Sequence, residues 1–133
     1  MSGRLRLRIG PEAASIAAAQ HAVARFVADA GLGAAAASRA ELVVEEVALN
    51  ALRHGGAPEV RLAAAIGEQG CLLRFEDAGP AFDPTAAGHA PAPGAALGEG
   101  GFGLMLARRA ARHLAYARLE GGLNRLEVVI GAS

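Results

Sequence analysis

Glu46, Asn50 and His54 fall four residues apart in EEVALNALRHGG (45–56), a largely apolar stretch. Spacing of four stacks side chains on one face of a helix. Asparagine is a mediocre helix former, so in mid-helix it is either exposed or has a partner. A polar arc facing water explains the trio equally well. Two glycine-containing stretches bear on the choice. In EDAGPAFDP (76–84), Asp77 stands two residues before Gly79, a carboxylate at a backbone turn where little shields it. Alone, that pattern is a common turn signal. In GEGGFGLML (98–106), glycines precede an apolar run, and backbone N–H groups there can approach an anion with a helix's positive end behind them. Gly98, Gly100 and Gly103 spell G-x-G-x-x-G, but that dinucleotide motif belongs after the first strand of a βαβ unit, and here it comes late in the chain.

The surrounding elements can be read by period. RLRLRI (4–9) alternates strictly, Leu5, Leu7 and Ile9 on one face and three arginines on the other, as in a half-buried edge strand. Pro11 and Glu12 open a helix that Gly31 closes, with Ile16, Ala19, Val23, Phe26 and Val27 at helical spacing. A second helix is expected from Ser38, with Glu41 completing a capping box, to Arg53 or His54 before Gly55-Gly56. On a wheel of about 100° per residue, Glu46, Asn50, Arg53, Arg39 and His54 form a stripe spanning about 100° along the apolar face; Glu41 and Glu45 fall on the solvent side. Residues 60–77 read as a hairpin about GEQG, 114–130 as strand, turn, strand, and a third helix starts near Gly103. The Pro/Ala/Gly-rich stretch 78–103 is a long loop of the kind that forms lids or linkers. The order predicts one α+β domain over 1–133, a two-layer sandwich with helices on one face of a mostly antiparallel sheet.

Composition removes several chemistries. All 13 basic residues are arginine, which excludes a P-loop lysine and any Schiff base. One cysteine and four histidines without paired spacing make neither a disulfide nor a zinc site. The formal charge is +0, so electrostatics gives no general argument for nucleic acid. No signal peptide and no membrane span is expected, and the default is a soluble cytoplasmic protein.

Taken in order, Glu-x-x-x-Asn on a helix, Asp-x-Gly after a strand, a loop, then Gly-x-Gly-Leu opening a helix resembles the GHKL ATPase/kinase superfamily. The chain is similar to its stand-alone branch, the bacterial anti-sigma-factor serine/threonine kinases. EEVALNALRHGG resembles the N box, EDAGPAFDP the first glycine box, GFGLMLARR the second, and LEGGLNRLEVVI the closing hairpin. The resemblance implies a Bergerat-type ATP-binding fold, with a mixed, mostly antiparallel sheet and three helices on one face.

It also implies roles. Asn50 would hold Mg²⁺ on the ATP phosphates, and Glu46, rather than Glu45, would be the general base. Asp77 would accept a hydrogen bond from the adenine amine, and Gly79 would let the purine approach. Residues 84–101 would be the lid. Gly101, Phe102, Gly103 and Leu104 would open the third helix against the phosphates. That lid carries no arginine, so Arg53 and Arg39 stand as candidates for the cation at the γ-phosphate. The implied function is phosphorylation of a serine on a STAS-domain anti-anti-sigma protein, together with binding of a sigma factor. No direct nucleic acid and no membrane is implied, and a homodimer is left open. A non-catalytic ATP-binding switch module is the alternative. A sensor histidine kinase catalytic domain is disfavoured by the lack of phosphoacceptor helices.

Overall fold

The computed structural model describes residues 3–81 and 102–132. Five strands, β1 (Arg4–Ile9), β2 (Val60–Gly67), β3 (Gly70–Asp77), β4 (His113–Leu119) and β5 (Leu123–Ile130), form one sheet in the order β1-β2-β3-β5-β4. Every neighbouring pair is antiparallel. The sheet is thus wholly antiparallel rather than mixed among the described residues. Helices α1 (Ala13–Asp29), α2 (Ala34–Leu49) and α3 (Phe102–Ala110) pack in sequence, α1 against α2 and α2 against α3. The α+β class follows as expected.

Alternation decides which sheet face meets the helices. Val60, Leu62 and Ala64 of β2, Cys71, Leu73 and Phe75 of β3, and Leu126, Val128 and Ile130 of β5 are buried. They meet Val23 and Val27 of α1 and Val43, Val44 and Val47 of α2 in one core. Each fully buried Leu, Ile or Val contributes roughly 1.5–3 kcal/mol. With so few aromatics, the core depends on many such small increments.

Two element boundaries differ from expectation. Helix α2 begins at Ala34, not Ser38, because Gly33 (φ 100°) already turns the chain into the helix and four alanines propagate it. Ser38 therefore lies exposed inside α2 and caps nothing. The end of α2 changes pitch. Asn50–His54 form a π-helical turn in which the Gly55 N–H donates to the Asn50 carbonyl (2.8 Å) and the Ala57 N–H to the Ala51 carbonyl (3.0 Å). Gly56, at φ 72°, then ends it in a left-handed conformation.

Candidate functional site

The last turns of α2 bury two polar side chains. Glu46 is 5% exposed and Asn50 6%, among valines and alanines that face the sheet. The Glu46 Oε2 is fully enclosed and has no hydrogen-bond partner among the described residues. Burial, and secondarily the charge of Glu45, pushes its carboxyl above the ordinary glutamate range. A buried carboxyl with an unused acceptor costs stability unless something transient satisfies it.

The π-helical turn explains why the expected stripe does not hold to its end. A wider turn advances each residue by less than an α-helix does, so positions after Asn50 leave the α-helical wheel. Leu52 rotates into the core, while Arg53 and His54 are exposed. His54 does not border the core, and Arg53 does not line the pocket described next. Single π turns inside helices are frequent at functional sites, and this one begins on Asn50.

Across from Asn50 stands Asp77, the last residue of β3. The two help line one pocket of about 30 Å³, walled by Val47, Phe75, Tyr116 and Asn124. A purine ring is larger than this, so a base must lie across the mouth or widen it. Glu46, one turn back along α2, is not among the lining residues.

Among the described residues, Asp77 is held from one side only. Its Oδ1 accepts the Gly79 N–H (2.9 Å) and the Asn124 Nδ2 (3.0 Å). The second donor was not foreseen from sequence. Asn124 is 7% exposed, on β5 opposite Asp77, and the β3–β5 register makes the two Cα partners. Its own orientation is fixed. The Asn124 Oδ1 accepts from the Tyr116 hydroxyl (2.5 Å) and from an Arg118 nitrogen (3.1 Å), so its Nδ2 must face Asp77. Nδ2 also donates to the Pro80 carbonyl (2.9 Å), and Arg118 donates to the Gly79 carbonyl (2.9 Å). Tyr116, Arg118 and Asn124 thus clamp the turn that carries Asp77. With both described donors on Oδ1, no described residue occupies Oδ2, which can accept from a ligand amine.

Gly79 packs closely here. A Cβ on it would lie 3.0 Å from the Asp77 Oδ1 and 3.2 Å from the Ala57 Cα. The glycine thus lets the turn press against the chain leaving the π-helical turn, bringing Asp77 and Asn50 to one pocket. Gly101 and the 84–101 stretch, with Gly98 and Gly100, lie outside the described residues. Phe102, Gly103 and Leu104 form the first turn of α3, which packs on α2. Arg39, half-buried on α2, donates to the Gly131 carbonyl (2.7 Å) and so has a structural task.

No trio of His, Cys, Asp or Glu that could cage a metal occurs among the described residues. Mg²⁺ commonly takes one or two protein oxygens and fills the rest of its octahedron with phosphates and water. Asn50, on the pocket wall, carries an amide oxygen of the kind that suits that mode. Cys71 is buried and its thiol is pushed up to about 11 by that burial, the environment of a structural cysteine and not of a reactive thiolate. No described helix is long and apolar enough to cross a membrane.

A sequence model of the histidine kinase-like ATPase domain matches residues 9–130. No curated protein matches the chain.

Proposed function

The chain belongs to the histidine kinase-like ATPase domain family, and on that footing we propose that it is an ATP- and Mg²⁺-dependent serine/threonine protein kinase of the anti-sigma type. Its substrate would be a serine on a STAS-domain antagonist, and its regulatory target a sigma factor. Phosphorylation would release the antagonist by adding charge at the interface.

One observation carries the catalytic part. Glu46 is buried, keeps an unpartnered oxygen, and sits one helical turn from Asn50. A site that only binds ATP gains nothing from that carboxylate, whose enclosure costs about 1–3 kcal/mol. A base awaiting a hydroxyl proton accounts for it.

ATP with its magnesium would supply the transferable phosphoryl group and neutralise the charge on it. Asp77 offers Oδ2 to the exocyclic amine of adenine and would disfavour guanine, which presents a carbonyl at that place. Asn124, Tyr116 and Arg118 hold Asp77 in that attitude. Asn50 provides an oxygen for the cation. Glu46 takes the proton of the serine hydroxyl as the serine oxygen gains the phosphoryl group and ADP departs.

A second reading has its own observation. Among the described residues no cationic side chain lines the pocket, and the 84–101 sequence has no arginine. Under it, ATP binding switches the partner surface without phosphotransfer. The test is incubation with γ-labelled ATP, Mg²⁺ and a STAS-domain protein. Label on the STAS serine that disappears in Glu46→Gln supports the kinase. ATP binding with no transfer by the unaltered protein supports the module.

A further inference from the structure

The sheet face turned away from the helices is strongly basic on a chain of no net charge. Outward positions carry Arg4, Arg6 and Arg8 of β1, Arg61 of β2, Arg74 of β3 and Arg125 of β5. Among the described residues only Glu76 and Glu127 stand against them, and both are engaged: Glu127 with Arg74 (2.9 Å), Glu76 with Arg125 (2.6 Å). Among the described residues, Arg4, Arg6, Arg8 and Arg61 form no ion pair. All four are exposed.

The arrangement is unfavourable for the isolated fold. The register sets Arg8 directly opposite Arg61, and like charges opposite one another on neighbouring strands destabilise a sheet. An edge strand can be protected from aggregation by one or two charges; it needs no facing cation on β2. Between the arginines the floor is small and apolar, with Ala63 and Ala65 half-buried beside Leu72. A shallow cleft of about 480 Å³ opens over Ala63, bordered by Arg6, Arg8, Arg61 and Arg74 and by Glu76, whose carboxylate is already taken by Arg125.

We infer that this outer face of the β1–β2 edge docks an acidic segment of a protein partner. The complementarity is of charge and spacing. Alternate residues on β1 repeat at about 6.7 Å, the same repeat that an extended segment gives to carboxylates at every second position. Arginine forks take carboxylates in paired hydrogen bonds, and the alanine floor accepts the small residues between them. A second copy of this chain is a poor occupant, since its equivalent face is equally basic. Single-stranded nucleic acid is disfavoured because the described part of this face has no aromatic ring on which a base could stack. The nucleotide pocket opens on the opposite side of the sheet, so this surface stands or falls independently of the proposed kinase activity.

The test uses the full chain and a fluorescent twelve-residue peptide of alternating glutamate and alanine. An alternating lysine–alanine peptide, (dT)15 and phosphatidylserine vesicles serve as comparisons. Binding is read by anisotropy, or by co-sedimentation for vesicles, at low and moderate salt. The acidic peptide should bind best, and Arg6→Glu with Arg8→Glu should weaken it by about tenfold or more, because each reversal removes an attraction and adds a repulsion. Arg8→Glu also relieves the pairing with Arg61, so the variant should melt no lower than the unaltered protein, which separates lost docking from lost folding. Asp77→Asn should leave peptide binding unchanged while weakening ATP. No peptide binding, peptide affinity indifferent to the double variant, or tighter binding of (dT)15 or vesicles would each overturn the assignment.

Discussion

Asp77→Asn changes one atom in the proposed base-recognition group, and the structure dictates where that change falls. Both protein donors, the Gly79 N–H and the Asn124 Nδ2, converge on Oδ1. An asparagine must therefore turn its amide oxygen toward them, since the reverse would set its NH₂ against two donors. Its own NH₂ then occupies the place of Oδ2 and faces the adenine amine, donor to donor. A charge-assisted hydrogen bond of about 1.5–3 kcal/mol is lost. At 1.4 kcal/mol per tenfold, the ATP Kd should rise about 10- to 150-fold. The same NH₂ can donate to the guanine carbonyl, so the preference for ATP over GTP should fall more than ATP affinity alone. Titration calorimetry with both nucleotides and Mg²⁺ reads both quantities. Because the fold keeps the hydrogen bonds on the retained oxygen, the melting temperature should barely move. An unchanged ATP affinity, or an ATP/GTP ratio that stays fixed while both weaken, would refute the assignment of Asp77 to the base.

Three other predictions follow from the same geometry. Glu46→Gln should lower phosphotransfer about 10²- to 10⁴-fold while ATP affinity changes little. If the proposed kinase activity holds, the unaltered protein should show an acid limb in kcat/KM above the ordinary glutamate range, because burial raises this carboxyl. The stability effect has the opposite sign to that of a salt-bridged acid. The fold favours the neutral form, so stability from this group is present at low pH and declines as pH climbs from the unfolded value of 4.5 through the raised folded one. Glu46→Gln should accordingly be as stable as the unaltered protein at acid pH and more stable, on the order of 1 kcal/mol, at neutral pH by urea denaturation; lower stability at neutral pH would contradict the burial argument. Asn124→Ala removes the clamp on Asp77, Pro80 and Tyr116 and should cost about 1–3 kcal/mol in stability, with ATP affinity reduced as well; nucleotide affinity equal to that of the unaltered protein would show the clamp to be irrelevant to the site. Arg8→Glu places a carboxylate opposite Arg61 on the exposed edge and should raise stability by about 0.2–1 kcal/mol, measured by chemical denaturation at low salt and fading at high salt.

The sequence was legible where local pattern decides structure. The strict alternation of RLRLRI, the helical period between Pro11 and Gly31, and the hairpins about Glu68 and Gly121 correspond to β1, α1 and the two β-hairpins. Burial of Glu46 and Asn50 on the core side of α2 also matches a wheel drawn from sequence alone. The wheel failed after Asn50 because a π turn is a change of backbone pitch. No side-chain pattern in NALRH announces it, and it carried Arg53 and His54 out to solvent. The start of α2 was misplaced because Ser38 and Glu41 imitate a capping box inside an alanine-rich helix. Asn124 was invisible for another reason. It lies 47 residues from Asp77 and reaches it only through the β3–β5 register. The clash of Arg8 with Arg61 was hidden the same way, since it exists only once β1 pairs with β2.

The central claim is that an adenine nucleotide lies between the end of α2 and the end of β3. A crystal structure with a non-hydrolysable ATP analogue and Mg²⁺ tests it most directly. The account predicts the adenine amine within hydrogen-bond distance of the Asp77 Oδ2, the cation on the Asn50 amide oxygen, and the Glu46 carboxyl opening toward the γ-phosphate. A nucleotide bound elsewhere on the chain, with Asp77 and Asn50 untouched, would contradict it.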